Sequence, residues 1–150
     1  MPLKEQIDAD LKTAMLARDE FTTTTLRGLK AAILNEEVAK GARETGLSEE
    51  AIEQLVAREA KKRDEAAKLF EQGGNQASAD KERAEKELLG AYLPEQLSEE
   101  DVKKLVEEVI AEIQPEGMKD MGRVIGAVKA RAGNSADGAL VAKLVKESLQ

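Results

Sequence analysis

The sequence predicts an all-α protein, and three features carry that expectation. Rings are almost absent: two Phe, one Tyr and no Trp stand in 150 residues, so burial rests on Ala, Leu, Val and Ile, which suit close helix packing. Val, Ile and Thr form no alternating runs of the kind a strand needs, and Ala, Glu, Lys and Leu dominate. The expected architecture is an N-terminal helical lobe with a long αα-hairpin over residues 1–92, and a small C-terminal three-helix bundle over residues 93–150.

Leu3, Ile7, Leu11, Ala14 and Met15 recur at steps of four and three, which predicts an amphipathic helix over residues 3–17 behind Pro2. Arg18, Asp19 and Glu20 form the connection. Thr22 to Thr25 is a run of β-branched hydroxyl residues, better at a helix start than inside one, so the cap is expected at Thr22. The second helix then turns Leu26, Leu29, Ile33 and Val38 inward and stops near Gly41.

Ser48 is a good N-cap, followed by Glu49 and Glu50 at the positive end of the helix dipole. A long helix to about Gln72 follows, with Ile52, Leu55, Val56, Ala66 and Phe70 inward. Its surface pairs Glu59 with Arg63, Lys61 with Glu65 and Asp64 with Lys68, four apart. The basic run Lys61, Lys62, Arg63 therefore reads as a self-paired solvated face rather than a nucleic-acid patch. Gly73, Gly74 and Asn75 break the pattern, and a returning arm from about Ala77 to Tyr92 buries Ala84, Leu88 and Tyr92. Leu93-Pro94 ends it, because proline drives the preceding residue out of the α region.

Ser98 opens the C-terminal part as an N-cap, with Glu99, Glu100 and Asp101 in the first turn; helix-start electrostatics explains these carboxylates better than a magnesium site. Val102, Leu105, Val106, Val109, Ile110 and Ile113 give that helix a broad apolar face. Met121, Val124, Ile125 and Val128 supply the matching face of the next helix, and Leu140, Val141, Leu144, Val145 and Leu149 that of the last. A bundle this small is marginal alone.

Composition limits the chemistry. Cysteine and histidine are both absent, which removes disulfides, zinc knuckles, thiol nucleophiles and the usual histidine base. There is no phosphate-binding P-loop, dinucleotide fingerprint or HExxH, so no catalytic residue, metal ligand or cofactor is assigned. No apolar run reaches the roughly 20 residues that span a bilayer, and the first residues read as a charged helix rather than a signal peptide. A soluble, cytoplasmic protein without membrane or DNA partners is expected.

The net charge of −7 hides a gradient: residues 93–116 hold eight acidic and two basic residues, whereas 117–150 hold six basic and three acidic. At about 100° per residue, Gly122 and Gly126 fall opposite the apolar face of their helix, with Lys119 and Arg123 on one edge and Lys129 on the other. A face without side chains, edged by cations, lets a phosphate backbone approach closely. The alternative is that Gly122 sits in the first turn at small cost while Gly126 makes room for another helix of the same chain. The spacing alone leaves both open. GNSADG, residues 133–138, reads first as a turn: Gly133 closes one helix and Ser135 or Asp137 caps the next. Free amides at the start of that last helix, with Lys143 and Lys146 nearby, offer a second anion contact, against which Asp137 weighs.

LRGLKAAILN (Leu26 to Asn35), KKRDEA (Lys61 to Ala66), YLPEQLSEED (Tyr92 to Asp101) and MGRVIGAVKARAGNSADGALVAKLVKESL (Met121 to Leu149) occur in this order, and the chain resembles the GatB/YqeY family as a stand-alone YqeY-like protein. The family's C-terminal region is similar to the tail domain of the B subunit of the tRNA-dependent amidotransferase. That enzyme takes its amide nitrogen from glutamine, and its catalytic sites lie elsewhere. The resemblance therefore implies tRNA recognition or association with amidotransferase subunits without chemistry, under a family label of carbon-nitrogen ligase. Binding of another protein through its helical faces is the alternative. By motif, the implied RNA-contacting positions are Lys119, Gly122, Arg123, Gly126 and Lys129 on one helix. Gly133, Asp137, Gly138, Lys143 and Lys146 join them at the turn and last helix. Asn75 stands where the family commonly has arginine, so no RNA contact is assigned to the hairpin tip.

Overall fold

The computed structural model describes residues 1–150 and contains seven α-helices and no strand. The all-α expectation holds. The chain divides into two compact units, Met1–Leu93 and Pro94–Gln150, each with its own apolar core.

In the first unit, α1 (Leu3–Leu16) and α2 (Glu20–Ala39) pack on the start of α3 (Glu49–Gln72), and α4 (Gln76–Gly90) lies along α3. Leu3, Ile7, Leu11, Leu26, Leu29, Ile33, Ile52, Leu55, Val56 and Leu89 are buried together. Pro2 offers α1 no side-chain cap. The Glu49 carboxylate does so from α3, accepting the Leu3 amide at 3.1 Å. Just after α4, the Tyr92 hydroxyl donates to Asp10 of α1 at 2.6 Å, and burial together with that carboxylate pushes the Tyr92 pKa up.

Several expectations for this unit need correction. The cap of α2 is Asp19, not Thr22: its carboxylate accepts the Thr22 amide at 3.0 Å and the Thr22 hydroxyl at 2.7 Å, which closes the first turn earlier. Val38 is exposed, and its neighbour Glu37 is buried in its stead. Lys4 at 2.6 Å and Arg43 at 3.5 Å neutralise Glu37, and the Lys4 hydrogen bond holds its carboxyl below the ordinary range. In the hairpin, Ala60, Ala67 and Ala79 are buried, while Ala66 is only half-buried and Phe70 is exposed. In the returning arm Leu89 is buried and Ala84 is exposed. Small side chains let the arms approach, and Leu69 and Phe70 near the tip are left outside.

The second unit holds α5 (Glu99–Ile113), α6 (Met121–Ala132) and α7 (Gly138–Leu149). Ser98 caps α5 by accepting the Asp101 amide at 3.1 Å. Val102, Val106, Val109, Val124, Val128, Val141 and Val145 are all fully buried with Leu144 beside them, so valines from three helices make the core. Met121, Ile125, Leu140 and Leu149 lie half-buried around it.

Candidate nucleic-acid interface

Helix α6 is oriented by its valines. With Val124 and Val128 in the core, helical periodicity turns Gly122, Arg123, Gly126 and Lys129 outward, and all of these are exposed. A Cβ built at Gly122 or Gly126 meets no atom within 4 Å. Gly126 therefore makes room for no other helix of its unit, within which the backbone of α6 lies open on that side. Gly126 sits in a helix interior, where glycine costs about 1 kcal/mol relative to alanine.

The cations around the strip differ in how far they are committed. Arg123 has no carboxylate partner, and Lys143 and Lys146 on α7 are exposed and likewise unpaired. Lys119 lies in a single 3-10 turn, Met118–Asp120, and is paired with Glu116. Arg131, on the flank of α6, forks onto Glu112 of α5 and holds that carboxyl below its ordinary value. Lys129 reaches α7, where its Cε and Nζ lie 3.3 Å from the point at which a Gly138 side chain would begin. A side chain at Gly138 would push this lysine aside.

The turn between α6 and α7 is built as its sequence requires. Gly133 has φ +55° and ψ −134°, and its amide donates to Lys129 O. An L side chain is strained there. Asp137 is the N-cap of α7, its carboxylate accepting the Ala139 amide at 3.2 Å, so an acid of the chain already occupies that helix start. The segment before α5 pins the turn: the Leu97 amide donates to Ser135 O at 2.8 Å, and the Gln96 side-chain amide to Asn134 O at 3.0 Å.

Lys129 and Gly138 are thus brought together at the turn, with Gly133 and Asp137 shaping it, while Gly122, Arg123 and Gly126 share the open face of α6. The pairing of Lys119 with Glu116 was not anticipated from the sequence, although the spacing of three residues was the available signal.

Comparison with known proteins decides the family at this point. The sequence profile of the Yqey-like protein family matches residues 4–149. The chain belongs to the YqeY-like family. It is 26% identical over 145 residues to the altered inheritance of mitochondria protein 41, mitochondrial, of Pyrenophora tritici-repentis, covering 95% of this chain and 78% of the relative. The protein of the same name from Clavispora lusitaniae is 28% identical over 129 residues, covering 84% and 71%. That from Eremothecium gossypii is 35% identical over 84 residues, covering 56% of this chain and less than half, 45%, of the relative. These relatives are named as mitochondrial proteins, which overturns the expectation of a cytoplasmic compartment. The cytoplasmic expectation rested on missing cysteines and the lack of a spanning segment, properties that do not separate one aqueous compartment from another. No helix is long and apolar enough to cross a membrane.

Proposed function

We propose that this YqeY-like protein is a non-catalytic tRNA-binding or tRNA-amidotransferase-associated module that meets RNA through the outer face of α6. The observation that carries the reading is the open backbone at Gly122 and Gly126 beside the unpaired guanidinium of Arg123. A phosphate backbone can approach such a strip closely while a planar guanidinium offers it paired donors. On this reading Lys119, Lys129, Lys143 and Lys146 add positive charge at the edges, and Gly133, Asp137 and Gly138 set the shape of the turn. The resemblance of this region to the tail domain of the amidotransferase B subunit supports tRNA over other polyanions.

The test is tRNA affinity of the full chain at low and moderate salt, beside an Arg123→Glu/Lys129→Glu variant. We expect binding that weakens as salt rises and falls at least about tenfold in the variant at low salt. Binding that cannot be measured, or that is unchanged in the variant, overturns the proposal. A second reading, a helical adaptor for another protein, is favoured by exposed Leu34 and Val38 one turn apart on α2. A partner that survives nuclease treatment and is lost on Leu34→Glu supports the adaptor instead.

A further inference from the structure

The first unit contains six arginines, and four of them, Arg43, Arg58, Arg63 and Arg83, reach a carboxylate. Arg18 and Arg27 reach none, and both line one shallow depression with Met15, Glu20, Thr23 and Thr24. A guanidinium nitrogen of Arg27 lies 3.9 Å from Met15 Sδ, a contact that steadies the side chain without neutralising it.

Arg18 also occupies an unusual backbone position. It follows α1 with φ +57°, its amide donating to Met15 O at 3.2 Å and that of Asp19 to Ala14 O at 2.9 Å. This helix ending favours glycine, because an L side chain is crowded there. Five glycines occupy the chain's other positive-φ sites, and Gln114 is the one further exception. Arginine at position 18 thus stands against the backbone preference, and no carboxylate of the chain takes up its charge. The hydroxyls point the same way. Those of Thr22 and Thr25 are bonded to Asp19 and to Phe21 O, whereas those of Thr23 and Thr24, the two that line the depression, have no partner in the chain.

We infer that Arg18, Arg27 and the hydroxyls of Thr23 and Thr24 form a phosphate-binding shelf on residues 1–93. Two guanidinium forks and two hydroxyl donors match the oxygens of a phosphate, and Glu20 leaves a surplus of positive charge in the lining. The helix amides take no part, since Asp19 already accepts from the first turn of α2. None of these residues belongs to the proposed α6 interface.

The test follows the arginine side-chain NMR signals of the full chain at low salt during titration with pyrophosphate and, separately, with tRNA, beside Arg18→Gly and Arg27→Gln. We expect the Arg18 and Arg27 signals to move, and each variant to weaken binding about three- to tenfold. Arg18→Gly should keep or raise the melting temperature. A response to pyrophosphate assigns the shelf to a free phosphate compound, and a response to tRNA alone assigns it to a nucleic-acid backbone. If neither anion moves these signals, or if Arg18→Gly lowers the melting temperature while anion binding is unchanged, the inference is overturned. The Arg123→Glu/Lys129→Glu variant separates the two sites, because pyrophosphate binding at the shelf should survive it.

Discussion

The hairpin face of α3 and α4 and the outer face of α6 are both rich in charge, yet they use it differently. On the hairpin, Arg63 meets Glu85 at 3.1 Å, Lys86 meets Asp64 at 3.1 Å, and Arg83 meets Glu71 at 2.6 Å, each across the two arms. Those charges hold one helix to the other. On α6, Arg123 faces solvent unpaired beside two open glycines. A basic run therefore says little by itself; what matters is whether carboxylates of the same chain have already taken it up.

Reversing one charge in each region breaks this contrast most strongly. Arg63 is largely covered and lies between Glu82 and Glu85, so Arg63→Glu would set three carboxylates against one another. We expect a loss of about 2 kcal/mol, read from urea unfolding. Arg123→Glu touches no partner and should change stability by less than about 0.5 kcal/mol. Equal losses from the two substitutions would show that Arg123 has a structural role and undo the distinction.

Much of this was legible beforehand because helix periodicity reports on burial directly. All of the buried valines of the second unit were expected on inward faces, and Ser48 and Ser98 are the caps their positions implied. The misses have physical reasons. A carboxylate buried by ion pairing breaks the apolar pattern that periodicity reads, so Glu37 was passed over for Val38. Pairing across the hairpin depends on the register of two arms, and so Arg63 was expected to meet Glu59 rather than Glu82 and Glu85. At the candidate site, the outward glycines were visible on a helical wheel. That Gly126 packs against nothing, that Lys119 is paired, and that Arg18 is left-handed all require coordinates.

Gly126→Ala sharpens the other half of the comparison. The added methyl has open space and replaces the poorest helix former short of proline, so the second unit should gain about 1 kcal/mol. For a unit of this size that is an upward shift of about 4–8 °C in its melting temperature. The same methyl thickens the strip, so tRNA affinity should fall as stability rises. A gain in stability with unchanged tRNA affinity would mean the bare backbone is not used for binding.

The smallest expected effect is in acid. Five carboxyls of the first unit, Asp19, Glu36, Glu37, Asp64 and Glu71, are held below their ordinary values, and for all but Asp19 the main cause is a hydrogen bond from a lysine or arginine. In the second unit Glu112 is held so by Arg131. A carboxyl whose pKa is lower folded than unfolded contributes stability that is complete above its unfolded value, 4.5 for glutamate and 3.8 for aspartate. That contribution is lost as pH falls through the lower folded value. Most of these groups are solvated, so each contributes little. Their number should nevertheless make the first unit lose more stability than the second between pH 5 and strongly acid solution. Amide NMR signals followed through that titration report the units separately, and those of residues 1–93 should broaden first. Lys4→Met tests the cause: without its main partner, buried Glu37 should titrate at higher pH, and the acid transition of the first unit should move upward. If the transition stays in place, the Lys4–Glu37 pair is not what sets it.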